Sequence, residues 1–265
     1  MTAVDPWTGG SGYEDYMGRW SRRLAPQLVR WAGVPPGRRW LDVGCGTGAL
    51  GAAILAEAAP AALTGVDPSE GFLATARRRL PAHVRLLRGS ATQLPLADAQ
   101  VDAALACLVL NFVPDPIAAL REMRRVTATG GRVAVCVWDY AQCMELTGHY
   151  WAAADALGLL APGEAQAERY PICAPEALAA AFVQAGLRDV ETTALEMEMR
   201  FADFDDYWHP FLAGQGVPPA HAMHLTEPAR ERLREALRKR LPVQGDGSIV
   251  LAARAWAARG RVAEG

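Results

Sequence analysis

The sequence predicts an α/β fold: a doubly wound, mostly parallel sheet of seven strands with helices on both faces, and a partly helical insertion late in the chain. Three observations carry that expectation. Short apolar segments alternate with helical ones over residues 39–139, the order that yields parallel strands joined by right-handed crossovers. Residues 101–110 are apolar almost throughout, as for a strand covered on both faces. Gly44, Gly46 and Gly48 fall between the first strand and the helix after it, where open α/β sheets bring backbone close to a ligand.

Residues 13–32 read as a helix, because Trp20, Leu24, Leu28 and Trp31 recur at near-helical spacing. Pro35, Pro36 and Gly37 break it. Residues 39–43 form the first strand, and an alanine-rich helix over 50–59 ends at Pro60. Residues 62–66 form the second strand, which runs into Asp67. A helix over 69–80 follows, with Ser69 as its N-cap. Strands are expected at 84–88 and 101–110. Pro116 opens a helix over 116–127 that Gly130 and Gly131 close. Residues 132–138 form the fifth strand. Beyond it, helices are expected at 146–160 and 175–185 and strands at 190–199 and 248–256. Between those last strands, residues 201–242 are rich in aromatics and histidine and then in arginine; they read as the insertion.

Length and composition narrow the function classes. At about 150 residues per domain, 265 residues suit one or two domains. The absence of repeats and linkers favours one, with a helical lead-in at 1–38, a ligand-binding core at 39–139 and substrate-side elements at 140–265. A chain 51% hydrophobic and 21% charged is ordered rather than disordered. A net charge of -2 gives no bulk attraction for a polyanion, so nucleic acid is not the expected partner. No apolar run reaches the 18 or so residues of a membrane span. The first ten residues carry no apolar core of signal-peptide type. Cysteines 45, 107, 136, 143 and 173 form no C-x-x-C pair, which fits free thiols in a reducing cytoplasm. A single lysine, Lys239, among 27 basic residues, with abundant alanine, fits a GC-rich bacterial genome.

The glycine turn is the most informative segment. Each missing Cβ removes a wall, and the turn can take positive φ. The helix behind it offers free N–H groups and a positive dipole end. Asp67, about twenty residues on at the end of the second strand, shares the crevice, and its carboxylate can accept bonds from two vicinal ribose hydroxyls. Glycines also make ordinary turns, but the pairing with Asp67 favours a nucleoside ligand. A dinucleotide pattern can be laid over Gly44, Gly46 and Ala49. Gly48 is surplus to that pattern, and Asp42 would set a negative charge beside a pyrophosphate. Near a ligand carrying a sulfonium and an ammonium the same charge is favourable or neutral.

Residues 42–48, Asp-Val-Gly-Cys-Gly-Thr-Gly, resemble the first motif of class I S-adenosylmethionine-dependent methyltransferases, a Rossmann-like fold. Gly65-Val66-Asp67-Pro68-Ser69 is similar to the second acidic motif, and residues 89–96 resemble the adenine-binding segment. Residues 108–114 and 119–135 resemble the fourth strand's end, its helix and the fifth strand. The likeness covers about residues 39–139, and Tyr16–Ser21 also looks like the small-molecule and quinone-type branch. It implies S-adenosylmethionine as cofactor, with Gly44, Cys45 and Gly46 lining its methionine part and Asp67 on the ribose. Pro68 would lie beside the adenine, Ala91 and Thr92 would face it, and Leu108 would approach the amino-acid end. Ser90 stands where many members carry aspartate. Tyr16 and Arg19 are candidates to fold over the cofactor, Arg19 pairing its carboxylate.

Methyl transfer from a sulfonium is an in-line displacement of a neutral leaving group, so alignment is the main requirement. A base is needed only when the acceptor must lose a proton. No residue is assigned as catalytic from the sequence, and no metal is expected: His221 and His224 lack a third ligand. The expected partner is a small-molecule methyl acceptor. Asp139, Tyr140, His149, Tyr207 and His209 are candidates for its pocket, each weighed against strand termination, packing or solvation. A cofactor-binding protein without transfer activity is the alternative; RNA modification and nicotinamide-dependent reduction are further ones.

Overall fold

A seven-stranded sheet organises the chain, in the order β3-β2-β1-β4-β5-β7-β6. The computed structural model describes residues 13–160 and 170–263. It comprises two compact units: residues 20–138, 172–195 and 255–263, and residues 13–19, 139–160, 170–171 and 196–254.

In the first unit the alternation read from the sequence becomes parallel pairing. Strand β1 (Arg39–Val43) lies between β2 (Ala62–Asp67) and β4 (Val101–Cys107), and β3 (Arg85–Arg88) adds to β2. Strand β5 (Thr127–Trp138) extends β4, and β7 (Ile249–Arg261) runs antiparallel to β5, Arg132 facing Arg261 and Trp138 facing Ala255. β6 (Arg188–Phe201) completes the sheet. Helix α1 (Arg19–Ala32) precedes it, and α2 (Ala49–Glu57), α3 (Glu70–Arg79), α4 (Pro116–Val126) and α6 (Pro175–Gln184) connect its strands. The caps are local and legible: Ser69 Oγ accepts the Phe72 N–H at 3.3 Å, and Asp115 Oδ1 accepts the Ala118 N–H at 2.9 Å. Leu41, Leu73, Leu105, Leu120, Val135 and Phe182 are fully buried.

Two boundaries differ from expectation. Strand β4 ends at Cys107 rather than residue 110, because Leu108 turns the backbone to φ 62° and residues 110–112 form a 3₁₀ turn. Strand β5 begins at Thr127 rather than Arg132. Val101 faces Thr127 and Ala103 faces Arg132, so residues 128–131 bulge out of the pairing. Gly130 and Gly131 therefore do not simply close a helix; they let the chain leave the strand and return to it. Strand β7 runs beyond the expected 248–256, because its pairing with β5 continues to Arg261.

The second unit contains α5 (Glu145–Ala156) and the late insertion, which folds as α7 (Phe204–Trp208), α8 (Val217–His224) and α9 (Glu227–Arg240). Aromatic rings form its core. Phe211 stacks on Tyr150 at 4.8 Å between centroids, and meets Tyr207 at 5.3 Å and Tyr16 at 5.4 Å. The arginine run of α9 is a solvated helix with Leu233 and Leu237 on its buried face.

Candidate cofactor site

Four strand ends of the first unit converge on the glycine turn. Gly44 and Cys45 both donate their N–H groups to Val66 O, at 2.7 and 3.0 Å. Gly46 donates to Asp67 Oδ2 at 2.9 Å, and Ser69 donates to Asp67 Oδ1 at 2.8 Å. Gly89, leaving β3, donates to the Asp67 carbonyl at 3.1 Å. At the end of β4, Val109 closes on Gly44, where a Cβ would stand 2.4 Å from Val109 Cγ1. Gly44 is thus required twice, by its φ of 68° and by that contact. Gly48, at φ 93°, caps α2.

Gly46 differs from Gly44. A Cβ there would meet nothing nearer than Gly44 O at 3.9 Å, so the turn has an open face at that residue. Two carboxyl groups at the ends of β1 and β2 are buried, Asp42 at 1% exposure and Asp67 at 6%. Neither oxygen of Asp42 has a hydrogen-bond partner. Burial, with the Asp67 charge added, pushes the Asp42 carboxyl up to about 8. Asp67 accepts a backbone bond on each oxygen, and a carboxylate oxygen can accept more than one. An open glycine turn beside the buried Asp67 carboxylate suits an adenosyl sulfonium, whose positive charge and ribose hydroxyls both favour a carboxylate neighbour.

The other expected cofactor residues stand at the same strand ends. Pro68 is exposed beside Asp67, and Ala91 and Thr92 are half-buried after β3. Ser90 Oγ accepts the Thr92 N–H at 3.2 Å and lies 2.9 Å from Thr92 Oγ1, so this hydroxyl shapes the turn around Thr92. Leu108 donates its N–H to Cys136 O at 2.8 Å and holds a left-handed backbone that a branched side chain rarely adopts. The buried Cys45 thiol is pushed well above its ordinary range by desolvation and by Asp42 and Asp67, so it stays protonated.

Tyr16 and Arg19 belong to the second unit. Tyr16 is buried against Phe211, and its hydroxyl has no hydrogen-bond partner. Arg19 has a protein partner that the sequence does not signal: Nη1 donates to Asp206 Oδ1 at 2.8 Å, and the guanidinium lies 4.7 Å from the Phe201 ring centre.

The acceptor-pocket candidates divide. Asp139 is buried and committed: Oδ2 accepts from Arg254 Nε and Nη2 at 2.9 and 2.7 Å, and Oδ1 accepts the Gln142 N–H at 3.0 Å. Tyr140 is half-buried with its ring 5.2 Å from that of Tyr170. His149 is half-buried, its Nδ1 unpartnered, and burial lowers its pKa, so the ring is neutral near pH 7. Tyr207 is wholly buried and donates to Leu146 O at 2.9 Å. His209 is exposed at the start of a 3₁₀ turn, His209–Ala213.

A pair that sequence reasoning missed joins Tyr150 to His221, at 2.7 Å between the hydroxyl and Nδ1. His221 Nε2 lies 2.9 Å from Leu159 O. A carbonyl can only accept, so Nε2 carries the proton and Nδ1 accepts from Tyr150. His221 is therefore a packed side chain linked to Tyr150; among the described residues, no cluster of three or more potential metal ligands occurs. Seventy-one positions separate the two, which leaves no local signal.

Residues 41–135 match the family model described as a methyltransferase domain. The chain is 33% identical over 155 residues to a malonyl-[acyl-carrier protein] O-methyltransferase of Serratia marcescens, covering 58% of this chain and 59% of that one. It is 37% identical over 132 residues to a ubiquinone/menaquinone biosynthesis C-methyltransferase of Rubrivivax gelatinosus, covering 50% and 47%. The match thus spans about half the length of these curated relatives. Among solved structures, a phosphoethanolamine N-methyltransferase of Haemonchus contortus in complex with S-adenosyl-L-methionine shares the fold, with a TM-score of 0.58 and 15% identity over 96% of this chain and 56% of that one. Strand order, glycine turn and the family match agree: residues 41–135 form a methyltransferase domain.

Proposed function

We propose that the whole protein transfers a methyl group from S-adenosylmethionine to a small aromatic acceptor. One observation carries the reading: the open glycine turn beside the Asp67 carboxylate. In it, Gly44, Cys45 and Gly46 line the methionine part, Asp67 takes the ribose hydroxyls, and Pro68, Ala91 and Thr92 flank the adenine. Leu108 stands at the amino-acid end. The bound cofactor supplies an electrophilic methyl on a neutral leaving group. The chain's own residues hold it, exclude water and align the acceptor.

The acceptor class follows from the second unit's core. Tyr16, Tyr150, Tyr207 and Phe211 form a ring cluster in which the Tyr16 hydroxyl is buried and unpartnered. Rings favour a flat apolar acceptor, and a lone buried hydroxyl favours one that carries an oxygen. Tyr140 and His149 are further candidates for that pocket. If the acceptor is a phenol or quinol, the Tyr150 oxygen would take its proton while the Tyr150 hydroxyl proton passes to His221 Nδ1, which it already bonds. Free cysteines are consistent with a cytoplasmic setting. No helix among the described residues is long and apolar enough to cross a membrane.

The test is turnover of methyl-labelled S-adenosylmethionine against phenols, quinols, amines, thiols and carboxylates. Transfer to the oxygen or ring carbon of an aromatic acceptor is expected. Binding of the cofactor without transfer to any class would favour the alternative, a binding protein without transfer activity.

A further inference from the structure

The bulge in β5 builds a cavity at the other end of the sheet. Asp102 stands opposite four residues, 128–131, which leave the pairing between Thr127 and Arg132. These four line a cavity of about 350 Å³ with residues 33–35, Arg38, Asp102, Arg132 and Arg261. It lies at the amino ends of β1, β4 and β5 and the carboxyl end of β7. The glycine turn is at the carboxyl end of β1, so the two sites are separate. Gly131 is needed for the cavity floor: a Cβ there would fall 2.6 Å from Asp102 O.

The cavity is lined by three arginines and one aspartate. Asp102 is already satisfied. It accepts the Arg39 backbone N–H at 2.8 Å and that residue's Nε and Nη2 at 3.1 and 2.7 Å. Arg259, nearby on β7, is bound to Glu191 at 2.8 Å and to Trp31 O. Among the described residues Arg261 reaches Gly130 O, at 3.4 Å, and Arg38 is exposed. Arg132 is the exception to satisfied chemistry. It is 9% exposed, and its Nη1 has no hydrogen-bond partner. Burial and the neighbouring charges of Arg261 and Arg259 disfavour its protonated form, offset in part by Glu191 and Asp189. A buried guanidinium without an acceptor is costly, and a polyoxygen anion removes the cost.

We propose that this cavity binds a small phosphomonoester by its phosphate oxygens, with Arg132 as the buried anchor and Arg38 and Arg261 on the solvent side. Guanidinium forks match phosphate oxygens in pairs. A phosphomonoester is close to a dianion at pH 7, which balances the excess of positive charge in the lining. The volume exceeds that of a bare phosphate and sits at the small end of ligand pockets, about 300–1,000 Å³.

The experiment is calorimetric titration of the full chain with inorganic phosphate and glycerol phosphate at low ionic strength. It is run in parallel on Glu264→Gln, which neutralises the acidic side chain three positions after Arg261, outside the described residues. One saturable site is expected, with glycerol phosphate binding at least as well as phosphate. Arg132→Met should weaken it by about tenfold or more, the loss of charged hydrogen bonds. Arg261→Ala and Arg38→Ala, at exposed positions where folding is not at risk, should each weaken it several-fold. Affinity for S-adenosylhomocysteine should stay unchanged in all three, which separates this site from the cofactor site. Absence of saturable binding in both the natural chain and Glu264→Gln overturns the proposal. So does binding that survives the arginine substitutions.

Discussion

The Asp67 carboxylate accepts the Gly46 N–H at 2.9 Å on one oxygen and the Ser69 N–H at 2.8 Å on the other. One side chain thus fixes both the glycine turn and the exit from β2. Asp67→Asn keeps one acceptor and turns an NH₂ group toward the other N–H. The expected cost is about 1–3 kcal/mol in the free energy of unfolding, read by urea titration. A variant as stable as the natural chain would mean that these bonds do not pin the turn.

Gly44 and Gly46 should fail in different ways. At Gly44 a methyl group meets Val109 Cγ1 at 2.4 Å on a backbone with φ 68°. Gly44→Ala should cost about 2–4 kcal/mol of stability, from overpacking and left-handed strain together. At Gly46 the methyl meets open space, and only the φ of 51° opposes it. Gly46→Ala should cost about 1 kcal/mol, while its main loss is in affinity for S-adenosylhomocysteine. Equal losses of stability would contradict the packing described at Gly44.

The raised pKa of Asp42 gives stability a pH slope of definite sign. Between its unfolded value near 3.9 and the folded value of about 8, the native state holds a proton that the unfolded chain has released. This group's contribution is therefore greatest below pH 4 and is lost as pH rises through about 8. In that window it lowers stability by about 1.4 kcal/mol per pH unit at most. Asp42→Asn removes the slope, whatever its constant offset. Urea unfolding at pH 5.5, 7 and 8.5 checks this; identical slopes in variant and natural chain would place the proton elsewhere.

Arg19 and Asp206 form a half-exposed pair, with side-chain exposures of 28% and 31%. Solvent screening limits their coupling to about 0.5–1 kcal/mol in a double-mutant cycle of Arg19→Ala and Asp206→Asn. Both single variants should bind S-adenosylhomocysteine alike. A selective loss of affinity in Arg19→Ala would show that Arg19 also serves the cofactor carboxylate.

The sheet and the cofactor end of the site were legible in the sequence because their signals are local. Alternating apolar and helical segments, a cap at Ser69 and the glycines of the turn each act within a few residues. What escaped notice depends on distant residues or on backbone torsions. The 128–131 bulge exists only because β4 and β7 fix Thr127 and Arg132 in their places. Leu108 looks like one more apolar strand residue until its φ is seen. Arg19 finds Asp206 187 positions away, and Tyr150 finds His221 71 positions away. Such partners are set by packing, and no pattern along the chain announces them.

The central claim is that the glycine turn and Asp67 hold an adenosyl cofactor. Titration calorimetry with S-adenosylhomocysteine, on the natural chain and on Asp67→Ala, tests it most directly. Binding at a single site, weakened in the variant by about 1.5–3 kcal/mol, is the expected result. An unchanged dissociation constant, or a preference for a nicotinamide dinucleotide over the nucleoside, would contradict it.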